Sequence, residues 1–223
     1  FFLGILQPFS DMLKLLFKEF FFLNYSNFIL YMLVPFFSLL IIMFMFILLP
    51  FDNMNLVNDF SMVLLICCLM LNVYYVILMS WASNSKYTYL SSIRVVVQMI
   101  SYEVSLFINL LCLFFLMEGM MVELFIKNQF YMWLLFLFFF MFLLFFFIFL
   151  SELNRIPFDF LEGESELVSG FNLEYGSMMF SLIFIFEYLM IILVSILMVV
   201  MFMKGELSSF MFYLKVITMI GLF

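Results

Sequence analysis

Five long apolar runs constrain this chain more than any other feature. They occupy residues 28–50, 61–80, 95–117, 130–150 and 177–203, and a sixth begins near residue 209. Each of the five can cross about 30 Å of hydrocarbon as an α-helix, in which the backbone polar groups are paired internally. The chain is 69% hydrophobic and 10% charged, with a mean hydropathy of +1.32, which lies far outside the range of soluble domains.

These runs predict an all-α fold, a polytopic transmembrane helix bundle that forms a single membrane domain over residues 1–223. It should contain five full spans and one truncated span at 209–223. The chain begins at Phe1 without an initiator Met or a basic signal region, and the sixth run stops at Phe223. We therefore expect both ends to be truncated.

The segment before the first span, residues 9–22, has an amphipathic pattern. Its charged residues recur at helical spacing and large apolar residues cover the other side: Asp11, Lys14 and Lys18 against Leu13, Leu16, Phe17 and Phe20. This pattern predicts an interfacial helix that lies in the plane of the membrane surface. An ordinary juxtamembrane anchor would show the same pattern.

Basic residues divide unevenly between the two sides of the predicted bundle. Counting alternate loops gives five against two: Lys14, Lys18, Lys86, Arg94 and Arg155 against Lys127 and Lys204. The more basic side is normally the inner one. This bias places the loop 151–176 on the inner, matrix or cytoplasmic, face.

The loop 151–176 holds a concentration of acids that the rest of the chain lacks. Six of the fifteen Asp and Glu residues lie between Glu152 and Glu174, with Arg155 among them and large apolar residues interleaved. Pro157 and three glycines prevent a spanning helix. The mixture is typical of a surface that binds an amphiphile, or of a hydrated crevice folded against the helices, although a solvated connector is the simpler alternative.

Two further acids lie inside apolar spans. Glu187 is ten residues into the span 177–203, about 15 Å along a helix and near the centre of a bilayer. Glu103 lies in the span 95–117, about 140° around the helix from Gln98 and away from a polar stripe that includes Gln98. A carboxylate at such depth costs at least ~3 kcal/mol, so each acid must face protein or water, find a partner or stay protonated. We expect a proton relay or a ligand-binding role for both.

Several kinds of site have no support in the sequence. There is no histidine, and Cys67, Cys68 and Cys112 show no CxxC spacing, so haem, zinc, iron-sulfur and other metal sites are not indicated. No glycine-rich phosphate loop and no basic, aromatic-interleaved patch is present, so nucleotide and nucleic-acid binding are not expected. The 38 Phe and 22 Met residues are typical of an AT-rich gene read with an organellar code, which suggests a mitochondrial gene.

Four motifs, in order along the chain, carry a family resemblance. They read LQPFSDMLKLLFKE (6–19), WASNSKY (81–87), VVVQMISYEV (95–104) and SELNRIPFDFLEGESELVSGFNLEYG (151–176), the last followed by FEYLMII (186–192). Together they resemble subunit 1 of mitochondrial NADH:ubiquinone oxidoreductase, respiratory complex I. The resemblance covers nearly the whole chain, although the first helix of the family, the basic stretch after it and at least the last helix are absent here.

The resemblance implies a fold and a set of roles. The family forms an eight-helix bundle that lines much of a ubiquinone chamber and leads into an acidic channel. Carried over to this chain, its quinone chamber corresponds to Asp11, Leu15, Arg155, Phe158, Asp159 and Phe184. Its proton relay corresponds to Glu103, Glu152, Asp159, Glu162, Glu164, Glu166 and Glu187. Leu153 stands where relatives commonly carry Thr.

The implied function is that of a core membrane subunit in a proton-pumping complex of the mitochondrial inner membrane. Ubiquinone would be its substrate, while haem, flavin, iron-sulfur clusters and metals would not be bound by this chain. Its partners would be the peripheral-arm subunits of the quinone site, the antiporter-like membrane subunits and membrane lipid. Two alternatives are the membrane anchor of a related energy-converting hydrogenase and a cation channel or transporter.

Overall fold

A computed structural model describes residues 4, 6–19, 25–49, 60–129, 132–159, 170–172, 174–205 and 209–223. Within this part of the chain every regular element is helical, which confirms the predicted all-α fold. The helices are α1 (Gln7–Phe17), α2 (Phe28–Ile47), α3 (Ser61–Ser83), α4 (Lys86–Met117), α5 (Val122–Asn128), α6 (Leu134–Leu137), α7 (Phe139–Glu152), α8 (Ser177–Phe202) and α9 (Phe210–Leu222). A 3-10 turn spans Gly170–Asn172.

Four of the described helices, α2, α3, α4 and α8, are long and apolar enough to cross a membrane. They coincide with four of the predicted spans, and a multi-pass membrane protein follows from them. Helix α4 begins at Lys86, nine residues before the apolar run at 95–117, because Ser85 caps it: its side chain accepts a hydrogen bond from the backbone N–H of Thr88 at 3.4 Å.

The run at 130–150 is divided between two helices. Phe138 leaves the helical backbone conformation (φ −122°, ψ 49°) and separates the single turn α6 from α7. Helix α7 has 14 residues and α9 has 13, so each is only about 20 Å long and shorter than a full crossing. Membrane spans at 130–150 and 209–223 therefore stay predictions.

Helix α1 lies where the amphipathic segment 9–22 was predicted, with different bounds. Pro8 occupies its first turn, a position that needs no backbone N–H, and the extended backbone of Lys18 (ψ 142°) ends it. Asp11 and Lys14 form an exposed ion pair at 3.9 Å, and α1 packs against α8. Its location at the membrane interface stays a prediction.

Helix α8 is the centre of the bundle. It contacts α1, α2, α5, α6, α7 and α9. In its most apolar stretch 67% of the residues are buried, against 28% in that of α4. Side chains on α8 are therefore held by protein, whereas α4 keeps a wide face for lipid or neighbouring subunits.

Polar groups from two other segments hold the C-terminal end of α8. The buried amide of Gln129 donates to the carbonyls of Val200 (3.1 Å) and Met201 (2.6 Å) and accepts from the backbone N–H of Lys204. The ammonium of Lys215, from α9, donates to the carbonyls of Met203 (2.6 Å) and Lys204 (2.9 Å). Because the last carbonyls of a helix lack internal partners and carry partial negative charge, these contacts stabilise the end of α8.

The turn between α8 and α9 has no room for a side chain at Gly205. A Cβ there would lie 2.5 Å from the ring of Phe212, which is itself buried. We predict that Gly205→Ala lowers stability by about 1–3 kcal/mol through overpacking. The loss can be followed as the fraction of monodisperse protein that survives heating in detergent.

Gly221→Ala is the matched control, because nothing lies within 4 Å of the added atom and the position is helical. It should be neutral or stabilising. Equal losses in the two variants would contradict the packing argument.

Candidate functional site

The acidic loop and the helices enclose a cavity of about 430 Å³. Both described ends of the loop contribute to its wall, together with α3, α4 and α8. The polar side chains that line it are Asn72, Tyr75, Glu152, Asn154, Arg155, Asp159, Asn172, Glu187 and Tyr188. Phe184, Phe186 and Met190 are among its apolar residues. A volume of this size with few convergent polar groups is usual for a small-molecule site.

Glu187 reaches this cavity from the middle of α8. The side-chain amide of Asn172, in the 3-10 turn, donates to its carboxylate at 3.5 Å. Tyr75 interacts electrostatically with the same carboxyl group, and its ring packs against Phe186 at 4.8 Å. Polar groups from the loop and from α3 thus meet an acid that the apolar surroundings of α8 would otherwise disfavour.

Several oxygens in the cavity wall are buried without a hydrogen bond to any described residue. They are the Oδ1 atoms of Asn72, Asn154 and Asn172 and both carboxyl oxygens of Glu152. A buried acceptor without a donor costs about 1–3 kcal/mol, so such groups normally bind water or a ligand. The wall therefore favours an occupant that carries hydrogen-bond donors.

The first stretch of the loop is a compact turn after α7. The backbone N–H of Arg155 donates to the carbonyl of Leu150 (3.1 Å), and the N–H of Phe158 donates to the carbonyl of Arg155 (2.7 Å). These bonds turn the chain so that Glu152, Arg155 and Asp159 all face the cavity. The guanidinium of Arg155 brings five potential donors to a wall that is otherwise rich in acceptors.

Two tyrosines anchor the far end of the loop. The rings of Tyr31 and Tyr175 stack at 4.3 Å with an interplanar angle of 3°. The hydroxyl of Tyr31 donates to the carbonyl of Glu174 (3.0 Å), and that of Tyr175 donates to the carbonyl of Met79 (3.3 Å). Burial raises the pKa of the Tyr175 phenol, and the adjacent Tyr31 raises it further, so Tyr175 remains a neutral donor at physiological pH.

Comparisons with known proteins show which family this chain resembles. A family profile described as NADH dehydrogenase matches residues 1–223. Proteins named NADH-ubiquinone oxidoreductase chain 1 are similar over nearly the whole chain. That of Anopheles gambiae is 44% identical over 95% of this chain and 68% of its own length, and that of Artemia franciscana is 44% identical over 96% and 72%. The sea anemone Metridium senile has a relative that is 37% identical over 94% of this chain and 64% of its own length.

The chain belongs to the NADH-ubiquinone oxidoreductase chain 1 family. The resemblance that the sequence motifs carry is thereby confirmed.

The structure gathers five of the residues that the chain 1 resemblance singled out. Glu152, Arg155, Asp159, Phe184 and Glu187 all line the cavity. They come from α7, the loop and α8, so folding alone brings them together.

Other residues predicted from the chain 1 family lie elsewhere. Asp11 is exposed and Leu15 half-buried on α1, and neither lines the cavity. Phe158 packs edge-to-face on Tyr102 at 5.4 Å, beside the cavity.

Glu103 also lies outside the cavity wall. It is near enough to interact electrostatically with Glu152, and its buried Oε1 has no partner among the described residues. The acids Glu162, Glu164 and Glu166 lie outside the described residues.

The polar cavity residues that the sequence reasoning missed include Asn72, Tyr75 and Asn172. Asn72 and Tyr75 are three residues apart in an apolar helix, which places them on one face of α3. A polar residue within a span is itself a functional signal, so this pair could have been found. Asn172 offered no comparable signal, because its position depends on the path of the loop.

Within the described part of the chain, no group of three or more His, Cys, Asp or Glu residues could hold a metal ion. The polar groups of the described cavity wall are carboxyl, amide, phenol and guanidinium groups.

The anchor of the loop can be tested at Tyr175. Tyr175→Ala removes a buried ring, its stack on Tyr31 and one hydrogen bond, so we predict a loss of about 3–5 kcal/mol. Tyr175→Phe keeps the ring and should cost only about 1 kcal/mol. Thermal unfolding and the rate of proteolysis within the loop both report this loss.

Tyr74→Ala controls for the loss of an aromatic residue, since Tyr74 is 61% exposed and does not line the cavity. It should leave proteolysis of the loop unchanged. Similar cleavage rates in Tyr74→Ala and Tyr175→Ala would contradict the role of Tyr175 as an anchor.

Proposed function

We propose that this chain is a core membrane subunit of a proton-translocating NADH:ubiquinone oxidoreductase, the respiratory complex I of the mitochondrial inner membrane. In this proposal the chain forms part of a ubiquinone-binding chamber and of an acidic route from it into the membrane arm. The observation that carries the proposal is the single cavity in which Arg155 and Phe184 meet Glu152, Asp159 and Glu187. Family membership supports ubiquinone reduction as the reaction, and the cavity is the proposed location of the quinone and of the transferred protons.

The composition of the cavity suits the chemistry of a quinone. Reduction of a quinone to a quinol takes up two electrons and two protons. Phe184 and the other apolar residues offer contact to a ring, while Arg155 can donate to the carbonyl oxygens of the oxidised form. The unpaired oxygens of Asn72, Asn172 and Glu152 can accept from the hydroxyls of the quinol or from water. Both redox forms therefore find complementary groups.

The arrangement of acids supports a route for protons. Glu187, Glu152 and Asp159 share one cavity, and Glu103 lies close to Glu152 on the side of α4. A cavity of this volume holds on the order of ten water molecules, which could bridge these carboxyl groups. Protons taken up near the quinone would pass along Glu187 and Glu152 toward Glu103, and Glu162, Glu164 and Glu166 are proposed to extend the route.

Electrons reach the quinone from partners in this proposal. The peripheral-arm subunits would supply NADH oxidation and the iron-sulfur centres, and antiporter-like membrane subunits would receive the effect of quinone reduction. Asp11, Leu15 and Phe158 are proposed to border the quinone path outside the described cavity. The similarity to NADH-ubiquinone oxidoreductase chain 1 favours this reading over a hydrogenase anchor or a cation channel.

The proton route predicts the effect of removing single carboxyl groups. Glu187→Gln, and separately Glu103→Gln, should lower coupled quinone reductase activity by roughly a hundredfold or more, because each removes a titratable group that transfers protons at apolar depth. Activity and proton translocation can be measured with the assembled complex in proteoliposomes.

Glu123→Gln is the matched control for these variants. Glu123 pairs with Lys127 at 3.1 Å on α5, does not line the cavity, and should be replaceable without effect. Full turnover and full pumping in both Glu187→Gln and Glu103→Gln would exclude the relay.

The proposed quinone-binding role predicts a different effect for replacement of Arg155. Arg155→Ala should raise the KM for ubiquinone by roughly tenfold or more, because hydrogen bonds from a charged donor are lost, while the complex still assembles. Steady-state kinetics with a short-chain quinone, together with native gels, measure both quantities.

Lys127→Ala removes an exposed positive charge on α5 and serves as the control for Arg155→Ala. If Arg155→Ala abolishes assembly instead, the loop is a docking surface for partner subunits.

A further inference from the structure

The buried amide of Gln98 on α4 joins two points of the loop that builds the cavity wall. Its Nε2 donates to the carbonyl of Ser151 at 3.1 Å and to the carbonyl of Phe158 at 3.0 Å. Gln98 is only 7% exposed. Since two carbonyls can be satisfied only by the NH₂ group, the orientation of the amide is determined by its partners.

The two carbonyls bracket the residues that face the cavity. Glu152, Asn154 and Arg155 lie between Ser151 and Phe158, and Asp159 follows directly. One amide therefore sets the distance between the start and the end of this segment. Helix α4 strengthens the attachment one turn later, where the ring of Tyr102 packs on Phe158.

Gln98 itself does not line the cavity. Its Oε1 is buried and has no hydrogen-bond partner among the described residues. Both donors of the amide are therefore used by the loop, and these two bonds hold the side chain in one orientation.

We infer that Gln98 is a positioning residue, which fixes the segment 151–159 so that Arg155 and Glu152 face the substrate cavity. This inference rests on the proposed function, because it concerns the site that binds the quinone. Gln98 would not touch the quinone; it acts through the placement of Arg155.

The chain contains a matched control for the same chemistry. Gln129 is also buried and also donates from its Nε2 to two backbone carbonyls, those of Val200 and Met201. These bonds hold the C-terminal end of α8, away from the cavity wall. Replacement of either glutamine by Met removes two bonds from Nε2 to backbone carbonyls at similar side-chain volume, and Gln129→Met also removes the bond that Oε1 accepts from the backbone N–H of Lys204.

The test uses the assembled complex with Gln98→Met and Gln129→Met. Gln98→Met should raise the KM for a short-chain ubiquinone roughly three- to tenfold, as expected for lost hydrogen bonds, with a smaller change in kcat. Gln129→Met should leave this KM unchanged even where it lowers thermal stability. An equal KM effect in the two variants, or none in Gln98→Met, overturns the inference.

A double-mutant cycle separates positioning from general support. If Gln98 acts through Arg155, Gln98→Met should add little to the KM of the Arg155→Ala variant, while Gln129→Met should remain without effect on it. Full additivity of Gln98→Met and Arg155→Ala contradicts the inference.

A second variant covers the case in which Gln98→Met does not assemble. Gln98→Asn keeps an amide that is too short to span both carbonyls and should raise the KM by a smaller factor. If the complex assembles with neither variant, the Gln98 amide is needed for assembly and the inference that it positions Arg155 is wrong.

The proposed function and this inference fail in different ways. Normal kinetics in both Glu187→Gln and Arg155→Ala would remove the proposed function. Impaired kinetics in those variants, with normal kinetics in Gln98→Met, would contradict only the positioning role of Gln98.

Discussion

A carboxyl group in the middle of an apolar helix must be compensated, and Glu187 imposes that requirement on the whole arrangement. Helix α8 surrounds it with buried apolar side chains, so compensation has to come from other segments. Asn172 arrives from the loop and Tyr75 from α3, and the cavity opens beside them. The inward fold of the loop, its tyrosine anchor and its attachment to α4 all keep polar groups at this depth.

The loop is held at three places by three different helices. Gln98 attaches its first stretch to α4, Tyr31 of α2 stacks on its last stretch, and the carbonyl of Met79 on α3 receives the Tyr175 hydroxyl. Irregular backbone is tolerated among membrane helices only where it is buried in protein or lines a cavity, and the described ends of the loop form backbone hydrogen bonds and line the cavity. A loop bound in this way can present charged side chains at fixed positions.

The fold was largely predictable because apolar runs of sufficient length have only one solution in lipid. The apolar run at 130–150 could not be divided correctly from the sequence. The helix is interrupted at Phe138, and no proline, glycine or charged residue in the run indicates this interruption. For the site, Glu187 and Glu103 could be found because acids are costly in a span, and the acids and Arg155 of the loop stood out by their density. Asn172 and the anchor formed by Tyr31 and Tyr175 could not, because these contacts join positions more than a dozen residues apart and depend on the tertiary path of the loop.

The attachment of α8 at both ends has a mechanical consequence. Gln129 and Lys215 fix its C-terminal carbonyls, and Tyr175, two residues before its first residue, is held by Tyr31 and by the carbonyl of Met79. The helix has 26 residues and is about 39 Å long. Glu187 is its eleventh residue, so about 15 Å of helix separate it from the end that Tyr175 anchors. The helix is therefore supported at both ends like a beam, which keeps the carboxyl group of Glu187 at a fixed position in the bundle.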